Sequence, residues 1–173
     1  MQLDKYWLSF SKFCSMRERI FTLGYQQRSL EEFVGIVRAA NANVVIDVRE
    51  MAWSHKPGFS KHSLQSALEA VGIEYVHAAF LGNPKWLREN ASTRDECLRW
   101  YAWYLNEFGE VLDAFEDLAN QILAEGKSIV LTCFERHSGD CHRSILTRRW
   151  AARDQSRRVS HLATEGCPRM VQS

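Results

Sequence analysis

The sequence is poor in proline, lacks long apolar runs and carries almost no net charge. Three prolines and nine glycines in 173 residues exclude collagen-like and low-complexity chains. No apolar run approaches the roughly 18 residues that a membrane span needs. Charged residues interrupt the N-terminal segment, so we expect neither a membrane helix nor a signal peptide. The 22 Lys and Arg residues against 21 Asp and Glu residues give a net charge of +1, which disfavours a strongly basic nucleic-acid platform.

Cofactor fingerprints and a disulfide framework are also missing. The chain contains no G-x-G-x-x-G motif and no Walker loop, so no cofactor is predicted. Its five cysteines are odd in number and lack framework spacing, which is typical of proteins from a reducing compartment. We therefore expect a cytoplasmic protein.

Hydrophobic periodicity predicts one α/β domain over residues 20–163, between an N-terminal extension (1–19) and a C-terminal tail (164–173). The predicted strands are 20–24, 44–49, 73–78, 128–134 and 159–163. The predicted helices are 30–40, 64–71, 94–107, 109–125 and 141–153. The order β-α-β-α-β-αα-β-α-β favours a three-layer α/β/α architecture with a mainly parallel sheet of about five strands, Rossmann-like or flavodoxin-like.

Polar residues follow three of the predicted strands at their carboxyl ends. In strand order they are Gly24, Tyr25 and Arg28, then Asp47 and Arg49, and finally Cys133 and Glu135. In an open parallel sheet, ligands bind beyond the carboxyl ends of the strands. We therefore expect these three groups to meet on one rim of the sheet.

The fourth strand and the helix after it hold the densest group of reactive side chains, namely Cys133, Glu135, Cys141, His142, Arg143 and Ser144. Asp140 is the predicted N-cap, which places Cys141, His142 and Arg143 in the first helical turn. The free backbone N–H groups and the positive end of the helix dipole favour an anion there, and they lower the pKa of a thiol. Cys141 is thus a candidate thiolate, and Cys133 faces the same loop.

These residues also have simpler interpretations. A cysteine in a buried strand often acts as a small hydrophobic side chain, and Arg143 would form a structural ion pair with Asp47 or Glu135. Zinc would accept Cys133, Cys141 and His142 with Glu135 or water as fourth ligand, but the chain has no C-x-x-C pair and the gap between the cysteines is long. A reversible disulfide between the two cysteines is a further alternative. No metal site is predicted.

Two aromatic segments are less specific. The loop at 53–61 combines Trp53 with basic residues such as Lys56, and it suits either a lid that grips a phosphate or a base, or a solvated loop anchored by one aromatic ring. The aromatic helix over 94–107 favours a packing surface or a homodimer interface over a ligand site.

The motifs together resemble those of the domain-of-unknown-function family 488. The likeness covers about residues 20–163 and rests on these segments: Thr22-Leu23-Gly24-Tyr25-x-x-Arg28-Ser29, Asp47-Val48-Arg49, Phe59-Ser60-Lys61, Gly72-Ile73-Glu74-Tyr75-Val76, Leu81-Gly82 and Cys133-x-Glu135 with Cys141-His142-Arg143-Ser144. The resemblance implies a compact α/β domain of uncharacterised activity. Members of this family commonly carry Gly-His-Ser after the first strand, where this chain has Gly24-Tyr25-Gln26. A proton-carrying role of that histidine would therefore be absent here or pass to Tyr25 or His142.

The leading hypothesis is an enzyme that acts on a small anionic molecule, such as a phosphate-bearing one. Cys133 or Cys141 would supply the nucleophile or redox thiol, and His142 or Glu135 would carry the proton. The anion would be held by a group comprising Gly24, Tyr25, Arg28, Asp47, Arg49, Lys56, Arg143 and Ser144. The alternative is a non-catalytic module that binds a nucleotide or a nucleic acid.

Overall fold

A computed structural model describes residues 19–162, which form five strands and six α-helices. The strands are β1 (Arg19–Gly24), β2 (Val44–Asp47), β3 (Glu74–His77), β4 (Ile129–Cys133) and β5 (Arg158–His161). The helices are α1 (Leu30–Ala39), α2 (Lys61–Glu69), α3 (Lys85–Asn90), α4 (Arg94–Glu107), α5 (Gly109–Ala124) and α6 (His142–Ala152). The predicted tail and the predicted extension, apart from Arg19, lie outside the described residues. In the described part, no helix combines the length and apolarity needed to cross a membrane.

The five strands form one all-parallel sheet in the order β3-β2-β4-β1-β5. This confirms the predicted α/β fold, although the order differs from that of flavodoxin (2-1-3-4-5) and of the Rossmann fold (3-2-1-4-5-6). The helix that connects β1 to β2 packs on one face of the sheet, and the helix that connects β4 to β5 packs on the opposite face. A topological switch point therefore lies between β1 and β4, where a ligand site is expected.

Two cores cover the two faces of the sheet and make the domain three-layered. Alternate residues of each buried strand point to opposite faces, so Ile46 and Leu131 enter one core while Val45 and Val130 enter the other. The first core is completed by α4, α5 and α6, and the second by α1 and α2. Because β2 and β4 are buried on both faces, they read as continuous apolar runs in the sequence.

Two local features differ from the prediction. A short helix, α3, and a preceding 3₁₀ turn (Ala79–Leu81) occupy the segment that the Gly82-Asn83-Pro84 break left without a prediction. Cys141, and not Asp140, is the N-cap of α6, because Asp140 ends a 3₁₀ turn (Ser138–Asp140) and pairs with Arg94. The prediction of Asp140 as N-cap was therefore wrong.

The capping box at the start of α1 gives a test of local stability. Ser29 Oγ accepts a hydrogen bond from Glu32 N at 3.1 Å, and Glu32 Oε2 accepts one from Ser29 N at 2.7 Å. Ser29→Ala should lower the free energy of unfolding by about 1 kcal/mol, because it removes the acceptor for an otherwise unpaired N–H group. Urea denaturation would measure it. Ser66→Ala, on the exposed side of α2, is the control and should change stability by less than about 0.5 kcal/mol.

Candidate functional site

A cleft of about 980 Å³ opens over the carboxyl ends of β1, β2 and β4. Its walls come from the loop after β2, from the segment 83–98 and from the loop after β4. Gly24 pairs in register with Cys133, and Asp47 with Thr132, so the ends of these strands meet at one edge as predicted. Six of the predicted site residues line the cleft, and they are Tyr25, Arg49, Lys56, Cys133, Glu135 and His142.

Cys133, Cys141 and His142 form a compact triangle of donor atoms at the inner wall of this cleft. Nδ1 of His142 lies 3.8 Å from Sγ of Cys133 and 3.9 Å from Sγ of Cys141. All three donor atoms lie within 4.8 Å of one another. The three side chains are 4%, 1% and 7% exposed, so the triangle is shielded from bulk solvent.

The His142 ring is held from two sides. Its Nε2 lies 3.0 Å from the Val48 carbonyl oxygen, and because a carbonyl only accepts, Nε2 carries a proton and donates it there. Nδ1 then faces the two sulfurs, where it accepts from a thiol or, when the ring is protonated, donates to a thiolate. Tyr101 packs against the ring at 5.0 Å between centroids, and its hydroxyl donates to the Leu81 carbonyl at 2.7 Å.

Glu135 stands between the triangle and the open cleft. The Cys133 thiol donates to Oε2 of Glu135 at 3.3 Å, while the rest of this half-buried carboxyl faces the cleft. A carboxyl in contact with both a reactive sulfur and the cleft can pass a proton between them.

Close packing shifts the acidities of these groups in opposite directions. Burial opposes ionisation of Cys141, but the Cys133 thiol, His142 and Arg143 together hold the pKa of Cys141 well below its usual value. The Cys141 sulfur beside it and burial raise the pKa of Cys133 well above its usual value. Burial and the Cys141 charge raise the pKa of Glu135, and Cys141 also raises that of His142 against the effect of burial. The metal-free site therefore favours a single thiolate, on Cys141.

Asp47 and Arg49 are locked together beside the cleft. Arg49 Nε donates to both Asp47 carboxylate oxygens at 2.8 and 3.1 Å, and Nη1 donates to the Tyr25 hydroxyl at 2.8 Å. Tyr75 donates to Asp47 Oδ2 at 2.7 Å. Burial opposes the charge of Arg49, but its hydrogen bonds to Asp47 raise its pKa. This pair organises the wall of the cleft and leaves little of the Arg49 charge for a ligand.

Five of the predicted anion-binding residues do not line the cleft, namely Asp47, Arg28 and the three described here, Arg143, Ser144 and Gly24. Nη1 and Nη2 of Arg143 donate to the Glu135 and Arg136 carbonyl oxygens at 2.7 and 3.3 Å. Ser144 Oγ donates to the Cys141 carbonyl at 2.9 Å. Gly24 lies directly beneath the Glu135 carbonyl. All three therefore shape the loop that presents Cys133 and Glu135.

Arg28 also points away from the cleft. Its Nε donates to the Gly24 carbonyl at 2.9 Å, and burial lowers its pKa, with a further contribution from Arg136. Nη1 is buried and has no hydrogen-bond partner among residues 19–162. Arg28 lines a separate, shallower depression together with Lys56, which also lines the cleft.

Lys56 differs from the arginines of the cleft in its ion pairing. Arg88 pairs with Glu50 at 2.6 Å and Arg94 with Asp140 at 3.4 Å, so each of these arginines has a carboxylate partner. The Lys56 ammonium lies 5.8 Å from the centroid of the Phe59 ring, and no carboxylate of residues 19–162 forms an ion pair with it.

Sequence reasoning missed several contributors to this site. The segment 83–98 brings Asn83, Arg88, Arg94 and Cys97 to the cleft, although it follows no strand of the sheet directly. The Val48 carbonyl is a backbone group, so no residue type could have signalled it. The aromatic helix α4 was interpreted as packing surface or an interface, and its Tyr101 is buried against His142.

One comparison with known proteins gives a match. A family model described as "Domain of unknown function DUF488" matches residues 29–150, which are 122 of the 173 residues. No curated protein and no solved structure matches the chain. The matched range contains α1 to α5, β2 to β4 and most of α6, and so includes the donor triangle and Glu135.

Proposed function

Because the chain belongs to the DUF488 family, whose description names no activity, we propose its function from the geometry of the cleft: an enzyme that acts on a small anionic molecule. One observation carries this proposal. Cys133, Glu135 and His142 share one wall of the cleft at the switch point between β1 and β4. Catalytic sites of open α/β sheets occupy this position, and residues able to react and to move protons define them.

The roles follow from what each group contacts. Cys133, Cys141 and His142 form the reactive centre, because their donor atoms converge on one point. Glu135 is the proton carrier, since it is the carboxyl that contacts both Cys133 and the cleft. Lys56 holds the anionic group of the ligand at the mouth of the cleft, because its charge is not neutralised by a described carboxylate.

Ligand binding tests this proposal before any reaction is known. The melting temperature of the full chain would be measured with a panel of small phosphates and carboxylates. A ligand present at 100 times its dissociation constant stabilises the fold by about 2.7 kcal/mol, which is a readily measured shift. Lys56→Gln should weaken this ligand by about tenfold through loss of one charge-assisted contact. Lys61→Gln, an exposed lysine outside the cleft, should leave the affinity unchanged.

Glu135→Gln separates binding from chemistry. The variant should still bind the ligand found in this way but turn it over about 10²–10⁴-fold more slowly, because it cannot exchange a proton. A panel without any stabilising ligand, or equal losses in Lys56→Gln and Lys61→Gln, would contradict the proposal.

A nucleotide is a second candidate ligand, and exposed aromatic groups at the cleft favour it. Trp53 is 60% exposed and Phe134 is 44% exposed, and both line the cleft, as Lys56 does. A base stacked on such a ring gains about 1–3 kcal/mol. Trp53→Ala would then weaken nucleotide binding and leave binding of inorganic phosphate intact. Equal binding of nucleotides by both proteins would argue against stacking on Trp53.

The state of the cysteines is informative about the cellular compartment of the protein. Cys97, Cys133 and Cys141 are free thiols. Free thiols at a reactive centre persist where the surroundings are reducing, which supports a cytoplasmic enzyme.

A further inference from the structure

We propose that Cys133, Cys141 and His142 bind a zinc-class divalent ion at the inner wall of the cleft, with the fourth position open to the cleft. This deepens the proposed function, since the ion would be part of the same reactive centre, and only its catalytic consequence rests on that function. Two thiolates and one imidazole suit zinc and the metals of similar softness. Three protein ligands with one open position are typical of catalytic zinc sites, whereas structural sites are closed.

The distances between the donor atoms fit one ion. Metal–sulfur bonds of about 2.3 Å and a metal–nitrogen bond of about 2.0 Å in a tetrahedron separate sulfur from nitrogen by roughly 3.6 Å. The two sulfur–nitrogen distances of 3.8 and 3.9 Å are within a few tenths of an ångström of this spacing.

The imidazole is already oriented as a ligand. Because Nε2 donates to the Val48 carbonyl, the lone pair of Nδ1 is directed to the side where both sulfurs lie. A backbone carbonyl that accepts from the other ring nitrogen is the usual outer partner of a metal-binding histidine. Contact with Tyr101 holds the same ring in place.

Glu135 lies next to the three ligands but does not act as a fourth ligand. The carboxylate contacts Cys133 but is not among the donor atoms that converge within 4.8 Å. It therefore contacts one of the ligands from the side of the cleft, where a proton carrier for a bound water or ligand would stand.

The long gap between the two cysteines argued against zinc in the sequence, and the fold removes this objection. Close spacing is needed when one short loop supplies both ligands. Here Cys133 ends β4 and Cys141 caps α6, and the 3₁₀ turn Ser138–Asp140 folds the chain back between them. The sheet and the helix bring the two sulfurs together, so spacing along the chain is irrelevant.

Metal analysis of the full chain tests the proposal. The protein would be purified without a histidine tag, chelator or added metal, and its metals measured by plasma mass spectrometry. We expect about one zinc-class ion per chain. Cys133→Ser, Cys141→Ser and His142→Gln should each reduce its affinity by more than the roughly 10–100-fold that loss of an outer partner costs. Cys97→Ser, which changes a cysteine outside the triangle, should retain the ion.

Cobalt gives a second measurement that does not depend on how the variants fold. Wild-type protein stripped of metal and loaded with Co²⁺ should show thiolate-to-cobalt charge-transfer absorption and the visible bands of a tetrahedral ion. The proposal is overturned if no stoichiometric metal is found and these bands are absent. It is equally overturned if Cys97→Ser loses the ion while the triangle variants keep it, or if intact mass shows a Cys133–Cys141 disulfide in the freshly purified protein.

These results are independent of the ligand-binding test. A metal-free protein that binds small anions through Lys56 would contradict the proposed metal site and support the proposed function. A zinc-containing protein that binds no small anion would support the proposed metal site and contradict the proposed class of ligand.

Discussion

Asp47→Asn is expected to lower the free energy of unfolding by about 3–5 kcal/mol, the loss typical of a buried ion pair that loses one partner. Asp47 is fully buried and Arg49 is only 7% exposed. The substitution keeps the size of the side chain but removes the charge that balances the Arg49 guanidinium. The Tyr25 hydroxyl and the Phe59 carbonyl remain as partners of Arg49, but neither is charged.

Urea denaturation would measure this loss as a lower midpoint with an unchanged slope. Glu50→Gln is the matched control, because it breaks the ion pair with Arg88, in which the two side chains are 34% and 45% exposed, and it should cost no more than about 1 kcal/mol. The double variant Asp47→Asn with Arg49→Met should regain part of the stability, since it leaves no unpaired charge in the interior. Similar losses in Asp47→Asn and Glu50→Gln would show that Arg49 does not depend on a buried counter-charge.

Gly24→Ala is expected to disrupt the candidate site and to destabilise the fold by about 1–3 kcal/mol. A Cβ atom on Gly24 would lie 1.7 Å from the carbonyl oxygen of Glu135 and 2.6 Å from its carbonyl carbon. Both are backbone atoms, so no side-chain rotation relieves the overlap. The same carbonyl accepts the 2.7 Å hydrogen bond from Arg143, and the loop that carries Glu135 would have to move.

Gly35→Ala provides the control, with an effect of opposite sign. Gly35 lies in α1, and no atom lies within 4 Å of a Cβ built there. Alanine should therefore stabilise the protein by about 0.5–1 kcal/mol, since glycine is the poorer helix former. Thermal unfolding would compare the two variants. In addition, Gly24→Ala should bind metal and small anions more weakly than wild type. Wild-type stability and binding in Gly24→Ala would show that the β4–α6 loop adapts freely.

Most of the secondary structure could be predicted because each element has a local cause. The run Val44–Ile46 is apolar throughout since β2 is buried on both faces, and Ser29 with Glu32 marks the start of α1 through hydrogen bonds within three residues. The prediction was wrong at Asp140, because a 3₁₀ turn ends there and its carboxylate pairs with Arg94 of a helix distant in the sequence. The family resemblance was confirmed by the match over residues 29–150.

The roles of the arginines could not be predicted, since they depend on which acceptors the fold brings near. Arg49 and Arg143 follow the pattern of anion-binding residues in the sequence. In the fold, Asp47 takes up the charge of Arg49, and backbone carbonyls of the β4–α6 loop take up the hydrogen bonds of Arg143. Lys56, which has weaker local signals, is the cation of the cleft without an ion pair to a carboxylate of residues 19–162.

By itself, the sequence determined the α/β class, the parallel sheet and the edge at which Gly24, Asp47 and Cys133 meet. These follow from hydrophobic periodicity and from the geometry of parallel strands, which act along the chain or between regular elements. Only the tertiary structure decided that Cys133, Cys141 and His142 converge, with the imidazole oriented by the Val48 carbonyl. The reason is physical. Convergence of the donor atoms depends on distances across the junction of sheet and helix, and the spacing of residues along the sequence does not determine these distances.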